Sequence, residues 1–262
     1  MLMRYDLLLA LVWGLTPMLA ASLGFWLPAL VVERALLSPW GQSRLLPRRG
    51  GRWPAVEQDR AAVASLAEQW RWARSVLLGP RALLNVALGG AVLTNLIRAP
   101  TSMWPSCASW ALGTCVLALL ADLGLYVTHR LSHTVPILWK IHSSHHRVLT
   151  PSSVTGLFID HADAAVQGVS VLLASLIVQP HPLTLGTYII LRTVDSVANH
   201  SGLDSRLFDA LTLKMLPGRA SVAHHDVHHL YSNRADAAAK NFGENFWLWD
   251  WAFGTLSTLQ PR

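Results

Sequence analysis

The sequence has 262 residues, of which 52% are hydrophobic and only 14% charged, and its mean hydropathy is +0.34. This composition excludes an ordinary soluble domain of that length and predicts an integral membrane protein. The formal net charge of +6 indicates contact with anionic lipid head groups. Nucleic acid is not expected as a partner, because the chain carries no nucleic-acid-binding motif.

The first apolar run extends from Leu7 to Val32 without a charged residue. A run of this length is sufficient for one helix to cross a bilayer. A cleaved signal peptide is the alternative, since the small residues Ala20, Ala21 and Ser22 resemble a cleavage site. The run continues past them to Val32, which favours a membrane anchor.

The segment after the anchor is rich in arginine, and the positive-inside rule places it on the cytosolic side. Its arginines are Arg34, Arg44, Arg48, Arg49, Arg52, Arg60, Arg71 and Arg74. Residues 1–75 are therefore interpreted as an N-terminal membrane anchor and cytosolic connector. Residues 76–262 are interpreted as membrane hairpins plus a catalytic domain.

Two further apolar runs, Val76 to Ile97 and Ala99 to Ala121, predict a helical hairpin with its turn near Arg98, Pro100 and Thr101. The hairpin returns the chain to the cytosolic side.

A fourth run, Ala164 to Leu191, is interrupted by Pro180, His181 and Pro182. It is either a pair of short helices or one kinked crossing. The predicted fold is thus all-α: an integral membrane protein of about four transmembrane helices with a cytosolic helical cap.

Histidines form three clusters that together hold eight of the twelve in the chain. On a helix, residues three and four apart share one face, so each cluster can aim its imidazoles at one centre. Eight imidazoles exceed the needs of one ion, and therefore a pair of metal ions is expected. A site of many histidines beside a membrane favours iron over structural zinc. The clusters are His129 and His133; His142, His145 and His146; and His225, His228 and His229.

Two polar residues extend the face of the first cluster toward the membrane. Asp122 and Tyr126 precede His129 by seven and three residues. A carboxylate that accepts the second N–H of a ligating imidazole fixes its tautomer, and Asp122 is predicted to act in this way.

These residues resemble the fatty acid hydroxylase and sterol desaturase superfamily, whose members are membrane-bound non-haem di-iron oxygenases. The boxes read HRLSH at 129–133, HSSHH at 142–146 and HDVHH at 225–229. The segments NHSG at 199–202 and NFGENFWLWDWAFGT at 241–255 are also similar. The sequence HHDVHH at 224–229 resembles the C-4 methylsterol oxidases most.

The resemblance adds His161 and His200 as metal ligands, and Asp226 joins Asp122 and Tyr126 as a candidate catalytic residue. His224 is expected to lie behind the ligands or to face substrate. His181 is expected to be an ordinary polar residue.

The sequence departs from the superfamily after His161. Ala162 and Ala164 stand where the superfamily usually has Pro and Glu. The local geometry at this point is therefore expected to differ from that of the superfamily.

The resemblance implies O2-dependent oxidation of a membrane sterol or related lipid, either a single hydroxylation or repeated oxidation of a C-4 methyl group. A fatty acyl or sphingolipid hydroxylase and a sterol desaturase are alternatives within the superfamily. A histidine-rich metal transporter and an inactive lipid-binding relative are alternatives of other classes.

The sequence has no dinucleotide fingerprint, haem attachment motif or cysteine cluster, so electrons must come from another protein. The resemblance implies cytochrome b5 or a similar carrier supplied by NAD(P)H. It also implies the endoplasmic reticulum in a eukaryote, or the inner membrane in a bacterium.

Overall fold

The computed structural model describes residues 2–36, 38–45, 66–148, 152–232 and 239–258. Most of the arginine-rich connector, with Arg48, Arg49, Arg52 and Arg60, lies outside these residues. Within them the regular structure is helical, and the β-type pairing consists of two isolated bridges, Leu45 with Leu203 and Arg219 with Phe246. The predicted all-α class is confirmed.

The helices are, in chain order, α1 (Leu2–Leu36), α2 (Pro39–Gln42), α3 (Leu66–Leu78), α4 (Pro80–Leu96), α5 (Cys107–Thr134), α6 (Pro136–His142), α7 (His161–Val178), α8 (Pro182–Ser201), α9 (Arg206–Leu211), α10 (Val222–Tyr231) and α11 (Leu248–Ala252). Short 3-10 turns lie at His145–Arg147 and Thr155–Leu157.

Three segments in the described part of the chain are long and apolar enough to cross a membrane, compared with about four predicted. They are Leu11–Leu36 in α1, Cys107–Thr134 and His161–Val178. The predicted hairpin turn near Arg98 does lie between helices. However, α4 has only 17 residues, and α5 begins later than the predicted apolar run. α5 then continues to Thr134, so a single helix carries both the crossing and the first histidine box, as the shared face of Asp122, Tyr126 and His129 predicts.

The fourth apolar region forms two helices, which resolves the alternatives left open by the sequence. Gln179 ends α7 in the left-handed conformation, with φ of 51°. His181 then starts α8: its Nδ1 accepts the N–H of Leu183, and Pro182 occupies the first helical turn. The proline-rich interruption is therefore a break between helices and not a kink.

α5 packs against α7 and α8, and α8 in turn packs against α1. Gly124 permits the close approach of α7, because a Cβ at this position would lie 2.8 Å from the Cβ of Ser170. On the outer surface of α1, Leu23 and Leu27 are 69% and 68% exposed. Exposed leucines along a helix are expected where its neighbour is lipid.

The directions of the helices bring the histidine clusters to one end of the bundle. α5 ends at Thr134, α7 begins at His161 and α8 ends at Ser201. The opposite end holds the α4–α5 connection, where Gln179 accepts the backbone N–H of Arg98. The histidine clusters therefore lie together at one end of the bundle. That this end faces the cytosol remains a prediction.

Candidate metal centre

Each histidine box reaches the centre from a different element. The first lies on the last two turns of α5, and the second spans the end of α6 and the 3-10 turn that follows. The third lies on α10, whose first turn is capped by the hydroxyl of Ser221, which accepts the N–H of His224. All eight box histidines are buried.

Their side chains form two groups of four. In each group, one ligand atom from every residue lies within 4.8 Å of the others. The first group is His129, His133, His146 and His228, and the second is His145, His200, His225 and His229. The two groups are neighbours, since the rings of His146 and His229 stack at 4.8 Å.

The spacing of the nitrogen atoms fits metal ions. In the first group, His146 Nε2 lies 3.1 Å from His133 Nε2 and 3.3 Å from His228 Nε2. In the second, His200 Nε2 lies 3.0 Å from His225 Nε2 and 3.4 Å from His145 Nε2. Metal–nitrogen bonds of about 2.0–2.1 Å separate neighbouring ligand atoms by roughly 3 Å. The observed separations are compatible with imidazoles that share an ion.

Several buried ring nitrogens have no hydrogen-bond partner among the described residues. Both nitrogens of His229 are in this state, as are Nδ1 of His146 and Nδ1 of His225. Burying a polar atom without a partner is costly, and native proteins rarely do so. A metal ion satisfies the nitrogen that it binds, so the second group fits a metal better than it fits a purely structural role.

Backbone carbonyls fix the tautomer of four ligands. Nδ1 of His129 donates to Phe242 O at 2.9 Å, and Nδ1 of His228 donates to Lys240 O at 2.7 Å. A carbonyl only accepts, so the proton is on Nδ1 and the lone pair of Nε2 is free for a metal. His145 and His200 donate in the same way to Phe158 O and Ser196 O.

A carboxylate that the sequence analysis did not select orients His142. Asp163, fully buried in the first turn of α7, accepts from Nδ1 of His142 at 2.8 Å. Nε2 of His142 then lies 3.2 Å from Nε2 of His146, beside the first group. The sequence does contain a signal for this contact, because Asp163 stands at the start of an apolar helix. A carboxylate buried there without a partner is costly, so a partner for it is expected.

Asp122 does not have the partner predicted for it. Its two carboxylate oxygens accept the backbone N–H groups of Asn245 and Phe246, at 3.0 and 3.1 Å, instead of an imidazole. The prediction assumed that a residue on the same helical face as His129 would reach its ring, but seven residues correspond to a rise of about 10.5 Å along the helix. Asp122 therefore anchors the segment that supplies Phe242 O to His129.

Tyr126 and Asp250 hold the same C-terminal segment. The Tyr126 hydroxyl is 2.9 Å from the Thr255 hydroxyl, and Asp250 accepts the backbone N–H of Phe242 at 2.8 Å. His224 belongs to this support, with Nε2 3.1 Å from Asp250. Through these contacts, the side chains of Tyr126, Asp250 and His224 hold the C-terminal segment in position.

His200 and His161, the two candidates from the stretch between the second and third boxes, have different positions. His200 belongs to the second group. His161 belongs to neither group; it is partly exposed at the start of α7, with its ring 6.1 Å from that of Trp72. Asp163 supplies the polar contact at this place in the chain.

The other two candidates lie in different settings. His181 caps α8 at the opposite end of the bundle. Asp226 is buried within α10, between ligands of the third box.

Burial keeps several histidines of the site neutral. Removal from water lowers the pKa of His142, His146, His225, His228 and His229 well below the usual value, and neighbouring imidazoles lower it further. Burial also lowers the pKa of His145. Neutral imidazole is the form that binds metals.

These shifts predict that the metal-free protein loses stability in acid. The unfolded chain takes up protons below about pH 6.5 whereas the folded chain does not, so the free energy of unfolding falls as the pH decreases. Each such histidine contributes up to about 1.4 kcal/mol per pH unit. We expect a clearly lower melting temperature in detergent at about pH 5 than at about pH 7. An unchanged melting temperature would contradict the buried, neutral cluster.

The fold and the site together describe an all-α protein with membrane-length apolar helices and two adjacent groups of four histidines, each of which could hold a metal ion. The sequence profile of the family described as Fatty acid hydroxylase matches residues 114–255, more than half of the chain. The chain belongs to this family.

The curated relatives include aldehyde decarbonylases and methylsterol monooxygenases. A very-long-chain aldehyde decarbonylase of rice, Oryza sativa subsp. indica, is 30% identical over 52% of this chain and 49% of its own length. Methylsterol monooxygenase 2-2 of Arabidopsis thaliana is 28% identical over the same shares, and methylsterol monooxygenase 1 of Rattus norvegicus is 25% identical over 71% of this chain and 62% of its own. The chain spans about half the length of the first of these relatives. No solved structure matches.

Proposed function

We propose that the protein is a membrane-bound non-haem di-iron oxygenase that oxidises a sterol or related lipid. The observation that carries this proposal is the pair of adjacent four-histidine groups, His129, His133, His146 and His228 beside His145, His200, His225 and His229. Their position at one end of the bundle, instead of along a polar path through it, favours an enzyme over a metal transporter.

The donor set suits iron. All the donors are imidazoles, which iron accepts readily, and neither cysteine lies in the centre. His142 adds a ninth imidazole beside the first group. Iron bound here would supply the activation of dioxygen needed to oxidise an unactivated C–H bond.

The residues of the chain provide orientation and exclusion of water. Asp163 and four backbone carbonyls hold the imidazoles in one tautomer, so the centre is preorganised. The ligands are buried, most at 2% exposure or less. A dry site protects a strongly oxidising centre from side reactions with solvent.

A sterol is the substrate that we favour. Methylsterol monooxygenases are among the relatives, one of them matching over 71% of this chain, and the box at 224–229 resembles that of C-4 methylsterol oxidases. The favoured reaction is hydroxylation repeated at a C-4 methyl group. Long-chain acyl lipids and aldehydes are the competing substrates, the latter because of the rice decarbonylases.

Electrons are proposed to come from cytochrome b5 or a similar carrier supplied by NAD(P)H. The cap would then face the cytosol, either from the endoplasmic reticulum or from the inner membrane of a bacterium.

Reconstitution tests the proposal. The purified protein in nanodiscs, loaded with ferrous iron and given a reductant and isotopically labelled dioxygen, is expected to place at least one labelled oxygen atom in a 4-methylsterol. A stearoyl lipid and a long-chain aldehyde serve as competing substrates. Labelled product from the acyl lipid or the aldehyde, with none from the sterol, would show that the substrate is not a sterol. If none of the three substrates gave labelled product, the result would contradict an oxygenase.

A further inference from the structure

An apolar pocket of about 380 Å³ lies between α5, α8 and the segment after α9. Ligand pockets usually measure about 300–1,000 Å³, so this one can hold the rigid part of a lipid. Its α5 wall includes Cys115, Ala118 and Leu119, and its outer wall includes Leu211 and Leu216.

The outer wall faces lipid. Leu211 is 73% exposed and Leu216 is 54% exposed, and Leu119 on α5 is 39% exposed. Large apolar side chains at the mouth of a pocket in a membrane protein indicate that the pocket opens to the hydrocarbon. A ligand would reach it from the bilayer.

One end of the pocket is polar, but its charges are already paired. Arg192 donates to Glu244 at 2.6 Å, and Asp195 lies 2.7 Å from both Lys214 and Arg219. Burial would raise the pKa of Glu244, but Arg192 holds it at about 2, so this pair is ionised. An anionic head group would have to displace one of these carboxylates.

Two polar atoms at this end have no partner among the described residues. Nε of Arg219 is a buried donor and Oδ1 of Asn245 is a buried acceptor, and both residues line the pocket. Asn245 is only 3% exposed. The two residues belong to neighbouring segments, because the N–H of Ala220 donates to Asn245 O at 2.9 Å. A hydroxyl group both donates and accepts, so it can satisfy a donor and an acceptor of this kind.

We propose that this pocket binds the apolar body of a membrane alcohol, with the uncharged hydroxyl of the ligand held between Arg219 and Asn245. The proposal rests on the proposed function and narrows its substrate class to a lipid with a free hydroxyl.

The polar end is also the end nearer to the metal centre. Asp195 precedes the ligand His200 by five residues on α8, a rise of about 7.5 Å along the helix. Asn245 follows Phe242, whose carbonyl accepts from His129, by three residues. In a 4-methylsterol the carbon that bears the hydroxyl is bonded to the carbon that bears the methyl group. A hydroxyl held at this end would keep that methyl group at the end of the pocket nearer to the metal ligands.

The two native cysteines supply a test that needs no metal. Both cysteines are exposed on α5, but Cys115 lines the pocket and Cys107 does not. Metal-free protein in nanodiscs is alkylated with a maleimide in the presence of cholesterol, of cholestane, which lacks the hydroxyl, or of oleate. The rate at each cysteine is read by peptide mass spectrometry.

Cholesterol is expected to slow alkylation of Cys115 and to leave Cys107 unchanged. Cholestane and oleate are expected to need concentrations about tenfold higher, because they leave the buried polar atoms unpaired or unbalanced. The variant Asn245→Leu keeps the backbone N–H that binds Asp122 and should abolish the preference for cholesterol. Its melting temperature, compared with that of the parent, checks that it folds.

Equal protection by cholesterol and cholestane would overturn the recognition of a hydroxyl, and protection of neither cysteine would overturn the pocket. Either result, alongside oxidation of a sterol by the iron-loaded protein, would leave the proposed function standing. Hydroxyl-dependent protection without any oxidation would instead support the pocket and contradict the oxygenase.

Discussion

Replacement of His146 by alanine is expected to abolish lipid oxidation and to lower the metal content of the protein. Nε2 of His146 lies within 3.3 Å of Nε2 of His133, His142 and His228. Alanine at this position therefore removes a nitrogen atom that lies close to those of its neighbours in the first group. Changes to residues that merely support a ligand cost about 10–100-fold in metal affinity or activity, and loss of a ligand should exceed this. Metal analysis of the purified variant, together with product formation, measures the effect.

The matched control is His181→Ala. This histidine caps α8 at the opposite end of the bundle, and its loss should cost about 1 kcal/mol of stability without changing metal content. A His146→Ala variant that retained full metal and activity would remove that residue from the ligand set.

The second large effect is expected at Asp163. In the variant Asp163→Asn, the amide cannot supply the negative charge that accepts from Nδ1 of His142, and its amide N–H₂ group can donate to that nitrogen instead. The ring can then take the other tautomer, which places a proton on the nitrogen facing His146. We expect a decrease of about 10–100-fold in metal affinity or activity, measured by metal titration of the purified protein.

Asp160→Asn is the matched control for this variant. Asp160 caps the same helix by accepting the N–H of Ala162, and asparagine caps helices equally well. Metal affinity should therefore be unchanged at position 160. Equal effects at positions 160 and 163 would show that the consequence arises from α7 as a whole and not from the contact with His142.

The three histidine clusters were predictable because the information is local. His129 and His133 are four residues apart on one helix, and the third box repeats this geometry on α10, so each cluster could be read from its spacing. The assignment of individual histidines to groups could not, since His145 and His146 are adjacent in sequence and belong to different groups. The short 3-10 turn that carries them sends their rings in different directions.

The supporting contacts were the least predictable part of the site. Asp122 shares a helical face with His129, but its partners lie more than a hundred residues away, in the C-terminal segment. Asp163 and the carbonyl of Phe242 likewise depend on how distant segments meet. Helical periodicity indicates which face a residue occupies, but the sequence does not reveal which segment covers that face.

The membrane helices could be predicted only in part. The apolar run that begins at Leu7 does form one long helix, and the pair of prolines around His181 does separate two. α5 begins at Cys107, later than the apolar run from Ala99, and it continues past Ala121 to the first box, as the shared face of Asp122, Tyr126 and His129 predicts. The helix ends at Thr134, because Val135 precedes Pro136 and is extended, as residues before proline usually are.

The number of metal ions per chain tests the central claim most directly. Protein prepared with ferrous iron in the absence of oxygen, freed of loosely bound metal and measured by elemental analysis, is predicted to hold two iron ions per chain. The His146→Ala variant should hold fewer. One ion or none in the unaltered protein, under conditions in which it is folded, would contradict a paired histidine centre.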